Sequence, residues 1–432
     1  MKHGLRALQG SLAVLVVAVN LYGLVACSNS NGGSVTPPAA VHTDVGTAYV
    51  TVDDPNCNTS GTCENEIAGI NDSRDVVGNY AACTTSGSQS CSSEDWSCAT
   101  TTECQPCPLI GGAASWSSYT ATYNSVNGSY SSYASVEFPN TSGQYMYAIS
   151  DRPAGLGAGF NAASPTPPPT TEVGCTKAFA GGGTEEKGFW PLEYANGLWS
   201  VLDKAGDSNG CGNASAVSVL AGYDKTNSAT PTMVGFYDDD SDTGGTCDFE
   251  AWEVYQGGTH TKLAVNFVSS FTATDVVATG VINSNTSSKI GIVGFVKNKN
   301  ASGPTLEGWY MTSSTAKLTP YNYPGASATA FTGIATVNSS ATPVIVGWYT
   351  KGKTTHGLWA TTTAGGAIDI VTPIDEPSAQ GLTIVNGVNK LGDVCGWYTD
   401  STGTYNGFVG LGVAGSLLRR DHHRLGTKRI TS

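Results

Sequence analysis

Charge is scarce in this chain. Asp, Glu, Lys and Arg make up 13% of its 432 residues, about half the usual share. Cations are scarcest, with 21 Lys+Arg against 34 Asp+Glu and a net charge of −13. The ends hold seven of those cations: Lys2, Arg6, Arg419, Arg420, Arg424, Lys428 and Arg429, beside a single acid, Asp421. The body between them keeps 14 basic and 33 acidic residues, a surface that repels nucleic-acid phosphates and excludes that partner class. Histidine is nearly absent: only His42, His260 and His356 lie between the two ends. No H-E-x-x-H motif occurs, so no zinc-protease signature is written locally. Triads and carboxylate pairs assembled in space leave no such trace, and no spacing singles one out among the acids.

Glycine is what the chain has in excess, at 54 residues against roughly 7% on average. Hydrophobic residues reach 40%, enough for a packed core. Many short strands joined by turns fit this composition better than helices.

The first residues read as an export signal. Lys2, His3 and Arg6 precede an apolar run from Ser11 to Ala26, shorter than the roughly 20 residues of a spanning helix. The run ends in Leu24-Val25-Ala26-Cys27, which resembles the lipobox of bacterial lipoproteins. The resemblance implies a signal peptide over 1–26, a lipid on Cys27 and a stable membrane anchor. Ser28 after the cysteine implies the outer membrane. Residues 27–46, rich in Ser, Gly and Pro, read as a flexible tether, and 416–432 as a basic, solvated tail.

Twelve cysteines are present. In an oxidising compartment disulfides are the default, and the candidates are Cys57, Cys63, Cys83, Cys91, Cys98, Cys104, Cys107, Cys175, Cys211 and Cys247. Spacing does not give their pairing. Zinc at Cys104-Cys107 lacks a nearby histidine or a second CxxC. With Cys27 lipidated one thiol is left over. Cys395 is the nominee, since it fills a strand position that other repeats give to valine.

One phrase recurs six times: GINDSRDVVGNY (69–80), AISDRPAGLGAGF (148–160), LAGYDKTNSATPTMVGFY (220–237), TGVINSNTSSKIGIVGFV (279–296), TGIATVNSSATPVIVGWY (332–349) and VNGVNKLGDVCGWY (385–398). Each is a strand, a polar turn and a second strand whose glycine precedes aromatics. The matching glycines are Gly78, Gly159, Gly235, Gly294, Gly347 and Gly396. A third strand follows at KGFW (187–190), EAWEV (250–254), EGWY (307–310), HGLW (356–359) and NGFV (406–409), and a fourth often ends near proline, as in KLTPYNYPGA (317–326). Four short strands per period of about fifty residues are the content of a propeller blade. The expected fold is all-β: a six-bladed β-propeller over 47–415, with insertions near 83–115 and 161–186 crowning one side. The last copy stops after its third strand, and AYVTVDDP (48–55) looks like the missing fourth. Residues 48–54 are therefore expected to pair within the last blade and close the ring.

These phrases resemble the "probable extracellular repeat, HAF family" of bacterial exported proteins, whose pattern runs G-I-N-x-x-G-x-I-V-G-x-Y, then H-G-F-L, then D-x-P-G-A. The resemblance spans about 48–411. It implies export and a repeat fold, and supplies no reaction.

Three features are candidates for chemistry. Asp238, Asp240 and Asp242 alternate as in calcium loops, although the glycine arrives one residue late and no distal Glu follows. Calcium is the only cofactor with a candidate site. Trp309-Tyr310, Trp348-Tyr349 and Trp397-Tyr398 have faces suited to sugars, but their regular recurrence points to packing between blades. His356 has Lys187, Glu250, Glu307 and Asn406 as its equivalents, which cannot form a ring of ligands. The functional expectation is a lipid-anchored envelope protein serving as a non-catalytic scaffold for a glycan or an envelope protein. The alternatives are an enzyme on an extracellular polysaccharide at the channel mouth, or a structural envelope protein without a discrete ligand.

Overall fold

The computed structural model describes residues 48–55, 62–83, 116–135, 144–149, 171–177, 188–195, 198–201, 216–224, 232–238, 249–255, 259–283, 290–298, 306–312, 317–340, 342–363 and 366–413. Cys27, the export signal, the tether and the basic tail lie outside them. The described chain is all-β, and no helix in it is long and apolar enough to cross a membrane.

The strands form six consecutive antiparallel groups in four sheets, because parallel pairing of Gly188 with Ala216 joins the second group to the third and of Leu306 with Ala328 the fourth to the fifth. After β1 (Ala48–Thr51) comes the first, β2 (Thr62–Ile70), β3 (Val76–Cys83), β4 (Trp116–Asn124) and β5 (Ser129–Ser135). The second is β6 (Gln144–Ile149), β7 (Thr171–Lys177), β8 (Gly188–Ala195) and β9 (Leu198–Val201). The third is β10 (Ala216–Asp224), β11 (Thr232–Asp238), β12 (Phe249–Tyr255) and β13 (Thr259–Lys262). The fourth has β14 (Ala273–Asn283), β15 (Ile290–Asn298) and β16 (Leu306–Met311), extended by a bridge from Gly308 to Tyr321. The fifth has β17 (Ala328–Ala335), β18 (Val344–Lys351), β19 (Thr354–Thr362) and β20 (Ile368–Ile374). The sixth has β21 (Thr383–Val388), β22 (Val394–Thr399) and β23 (Tyr405–Leu411). Its fourth strand is β1, which runs antiparallel to β23 with Val50 opposite Val409. The pairing expected for the N-terminal strand is present, and Val52 N–H extends it to the Gly407 carbonyl at 2.9 Å.

Every first strand carries a bulge at one position. Register slips past Ala68, Tyr147, Ala221, Thr279, Thr332 and Asn386, each left unpaired. A bulge bends the strand and swings the extra residue sideways. Here it swings towards the next group. The Thr279 hydroxyl donates to the Phe331 carbonyl at 2.7 Å, and Thr332 to Val385 at 2.6 Å. Asn386 donates its amide to the Ile67 carbonyl at 2.9 Å, joining the sixth group to the first. The residue after the bulge must let two backbones touch. A Cβ on Gly222 would lie 2.9 Å from the Gly280 Cα, and one on Gly333 would lie 3.1 Å from the Gly387 Cα. First strands meet in cyclic order: β2 with β6, β6 with β10, β10 with β14, β14 with β17, β17 with β21, and β21 with β2.

The core lies between neighbouring groups. Val346 and Trp359 of the fifth pack with Val385, Tyr398 and Phe408 of the sixth, and Cys395 and Val409 pack with Ile67 and Tyr119 of the first. Second strands have a repeated constraint. Gly78, Gly174, Gly235, Gly294, Gly347 and Gly396 pair in register with Tyr119, Leu192, Trp252, Trp309, Leu358 and Phe408 of the third strands.

This register corrects the second repeat. The glycine opposite Met146 is Gly174, not Gly159. The misreading followed from the polar residues 150–170, which separate the first strand from the second and happen to carry glycines of their own. The stretch 161–186 is consequently not one insertion, because β7 runs through it. Its first part joins a first strand to a second, whereas 84–115 joins a second strand, β3, to a third, β4. Apart from β7 and Cys83 at the end of β3, the residues expected to form the two insertions lie outside the described ones.

Candidate functional site

A small cleft opens where the first strands converge. It holds about 440 Å³ including its mouth and is lined at the bulges by Ala68, Ala221, Thr279, Thr332 and Asn386 with their glycines. The lining offers hydroxyls, an amide and backbone. No carboxylate, histidine or aromatic side chain lines it among the described residues.

Titratable and aromatic groups gather instead at the edge where fourth strands hand over to first strands. The fourth-strand phrase builds it, as Asp53-Asp54-Pro55, Asn322-Tyr323-Pro324 and Asp375-Glu376-Pro377. Proline ends pairing, so the two residues before it turn off the sheet. A polar residue near the start of the next strand then captures them. Asn65 donates to Asp53 Oδ1 at 2.8 Å, Thr329 to Asn322 Oδ1 at 2.7 Å, and the Tyr323 N–H to Thr329 Oγ1 at 2.9 Å.

At the joint of the sixth group with the first, burial raises Asp53, the Asn65 amide and Gly407 N–H lower it, and Asp400 raises it, for a net push up to about 6. Asn65 also donates to the Val52 carbonyl at 2.6 Å and accepts the Tyr119 hydroxyl at 2.8 Å. Burial likewise raises Glu376, against backbone donors at Ser378 and Ala379. Asp400 goes the other way. Partial burial works to raise it, but donors at Thr402 and Thr404 hold it below the ordinary value.

At the joint of the fourth group with the fifth the character changes to aromatic. Tyr323 stacks on Tyr349 with centroids 3.8 Å apart, and Tyr349 on His356 at 5.1 Å. His356 Nδ1 lies 2.9 Å from Asp375 Oδ2. The Lys351 ammonium stands 5.9 Å from the Tyr323 centroid and donates to the Pro324 carbonyl at 3.3 Å. Tyr349 is buried, while Tyr323 and His356 are half-buried.

The opposite edge of the joint between sixth and first groups holds an ionic clasp. Asn71 and Asn389 each close a tight turn by accepting backbone N–H groups, those of Ser73 and Asp75 in one and Leu391 and Asp393 in the other. Asp393, fully buried, takes Arg74 Nε at 2.8 Å, Gly412 N–H at 2.7 Å and the Asn389 amide at 3.0 Å. Arg74 sits at φ +67, where the sixth repeat has Gly392 at φ +81.

The residues singled out from sequence disperse. Trp309, Trp348 and Trp397 are at most 1% exposed, as packing between groups requires. Trp309 is a third-strand residue covering Gly294, whereas Trp348 and Trp397 follow the second-strand glycine. Asp238 ends β11, and Asp240 and Asp242 lie outside the described residues. Cys63 and Cys83 lie in β2 and β3, and Cys175 lies in β7. Cys57, Cys91, Cys98, Cys104, Cys107, Cys211 and Cys247 fall outside. Cys395 is a free, buried thiol whose pKa burial pushes up. It occupies the register that Val77, Val173, Val234, Val293 and Val346 hold elsewhere. Sequence reasoning missed Asp53, Tyr323 and Asp375. Their signal was the shared proline two residues or one residue downstream.

No protein-family model and no curated protein matches the chain. Solved structures of similar outline include the Hadza microbial sialidase Hz136, at 7% identity and TM-score 0.47, covering 84% of this chain and 68% of that one. Trypanosoma rangeli sialidase follows at 9% and 0.45, and the chain spans 62% of its length. The Aleuria aurantia lectin, a six-bladed β-propeller that recognises fucose, aligns over 69% of this chain at 11% identity and TM-score 0.36. Likeness at this level transfers neither architecture nor activity.

Proposed function

We propose that the chain is a lipid-anchored envelope protein whose body is a six-bladed propeller that binds an extracellular glycan without cleaving it. The propeller reading is supported by the cyclic order of the first strands and by the Asn386–Ile67 bond across the joint of last and first groups. HAF-type repeats and a diacylglyceryl group on Cys27 belong to the same proposal. Protease accessibility on whole cells tests which face of the outer membrane carries the body.

The binding reading is carried by one observation. At the edge that offers tyrosines, His356 and carboxylates, Asp53, Asp400 and Glu376 each accept from the protein's own donors, Asn65, Thr402 and Ser378, while Asp375 stays 43% exposed. Such acids shape and orient a surface, and half-buried aromatic rings with polar tips suit sugar faces. Enzyme action on a polysaccharide is the second reading. Asp53 favours it, since a carboxyl titrating near 6 is suited to donating a proton close to neutrality. A screen of the fragment from residue 45 against immobilised glycans, with product analysis of every hit, separates the two. Retention without new reducing ends supports binding, and released oligosaccharide supports the enzyme. Calcium at Asp238, Asp240 and Asp242 is tested by calorimetry: heat lost in Asp240→Ala supports it, and no heat in wild type removes it.

A further inference from the structure

The aromatic joint departs from its own repeat, and that departure is informative. Aligned on the proline, Tyr323 takes the place that Glu376 and Asp54 hold at the next two joints. Those acids are 2% and 3% exposed. Aligned on the second-strand glycine, Tyr349 corresponds to Tyr398, and Lys351 to Asp400. Opposite these tyrosines, His356 corresponds to Asn406. The fold thus closes the same joint elsewhere with a buried acid, an acidic turn and an amide. At one joint it carries two stacked tyrosines, a lysine and a histidine.

We propose that Tyr323, Tyr349 and His356, with Lys351 and Asp375 at their rim, form a binding subsite for a neutral pyranose residue bearing vicinal hydroxyls. The inference rests on the glycan-binding reading above and names its location and ligand class. The half-buried ring of Tyr323 offers a flat apolar face for the C–H side of a pyranose. Stacking on buried Tyr349 holds that ring in place before any ligand arrives, which lowers the entropy lost on binding. The Asp375 carboxylate is 43% exposed, so it retains lone pairs for hydroxyl donors while it holds His356. Lys351 is exposed and supplies donors to a hydroxyl oxygen. A carboxylate and an ammonium around one aromatic ring match a diol, which both donates and accepts. The rim carries both signs of charge, so a neutral sugar fits better than an acidic one.

The test uses the soluble chain from residue 45 and calorimetric titration with neutral gluco-, manno- and galacto-hexaoses and with oligogalacturonate. Wild type is expected to bind at least one neutral series. Tyr323→Ala is expected to weaken that binding at least tenfold and Asp375→Asn at least fivefold, while Tyr323→Phe retains it. Thermal melts report folding, and if Tyr323→Ala unfolds, Asp375→Asn decides. Neutral-sugar binding unchanged in the folded variants overturns the subsite and leaves the glycan reading standing. Binding of oligogalacturonate alone overturns the ligand class. No binding by wild type to any sugar removes the glycan reading and the subsite together.

Discussion

Arg74 shows how one side chain can be both strained and needed. A non-glycine residue at φ +67 costs roughly 1 kcal/mol. The guanidinium repays this at a carboxylate, Asp393, that is fully buried at the joint of first and last groups. Arg74→Ala keeps the strain and leaves the Asp393 carboxylate without its cation, an expected loss of about 3 kcal/mol. Arg74→Gly loses the pair but relaxes the backbone, so urea melts should place it about 1 kcal/mol above Arg74→Ala. Equal midpoints would refute that split. Asp53 yields a second residue-scale prediction. Its folded pKa near 6 exceeds the ordinary carboxylate value, so the folded state holds a proton that the unfolded state releases. The associated stability is complete below about pH 4 and is lost as pH rises through about 6. Asp53→Asn should therefore gain about 2–3 kcal/mol on wild type between pH 4 and pH 7 in melting experiments. A constant difference across that range would contradict it. Neither residue was legible in advance. Arg74 reads as a surface cation inside a polar turn, and Asp53 as one acid among many, until the chain ends are brought together.

At the scale of elements, the repeated phrase carried much of the information. The second-strand glycine was legible because its cause is local and severe. A Cβ at Gly347 would run into the Ala330 carbonyl, and one at Gly396 into that of Ile384. Gly347→Ala is expected to cost at least about 3 kcal/mol, by overpacking backbone that cannot retreat. Gly352→Ala, at an open turn with φ +67, should cost only about 1 kcal/mol. Comparable melting of the two variants would remove the close-packing account. The bulge was not legible. It needs an extra residue in the first strand relative to the second, and spacing within a single strand does not reveal its partner's register. Gly159 was mistaken for Gly174 for the same reason, since strand identity in that repeat is decided by pairing across the sheet. β1 was legible through its proline, Pro55, which Pro324 and Pro377 match in the fourth and fifth repeats. Val50→Pro places a residue without an N–H in a four-residue strand paired only with β23. It should loosen β22 and β23 in hydrogen exchange before the third to fifth groups respond. Uniform loosening of all groups, or none, would argue against a local clasp.

For the whole molecule, six bulged first strands meet in cyclic order, and the sixth group borrows its outer strand from the start of the chain. A chain so arranged has its first and last repeats bonded by side chains more than 300 positions apart, as between Asn386 and Ile67. Closing a loop of that length costs more entropy than closing any hairpin within a group. The cleft among the first strands follows from this arrangement, and so does the acidic seam around Asp53. The crystal structure of residues 45–413 tests the arrangement most directly. The account predicts six antiparallel strand groups around one axis, with Val50 opposite Val409 and the Asn386 amide on the Ile67 carbonyl. An open row of sheets with β23 unpaired at its outer edge, or β1 paired with any strand outside the sixth group, would contradict it.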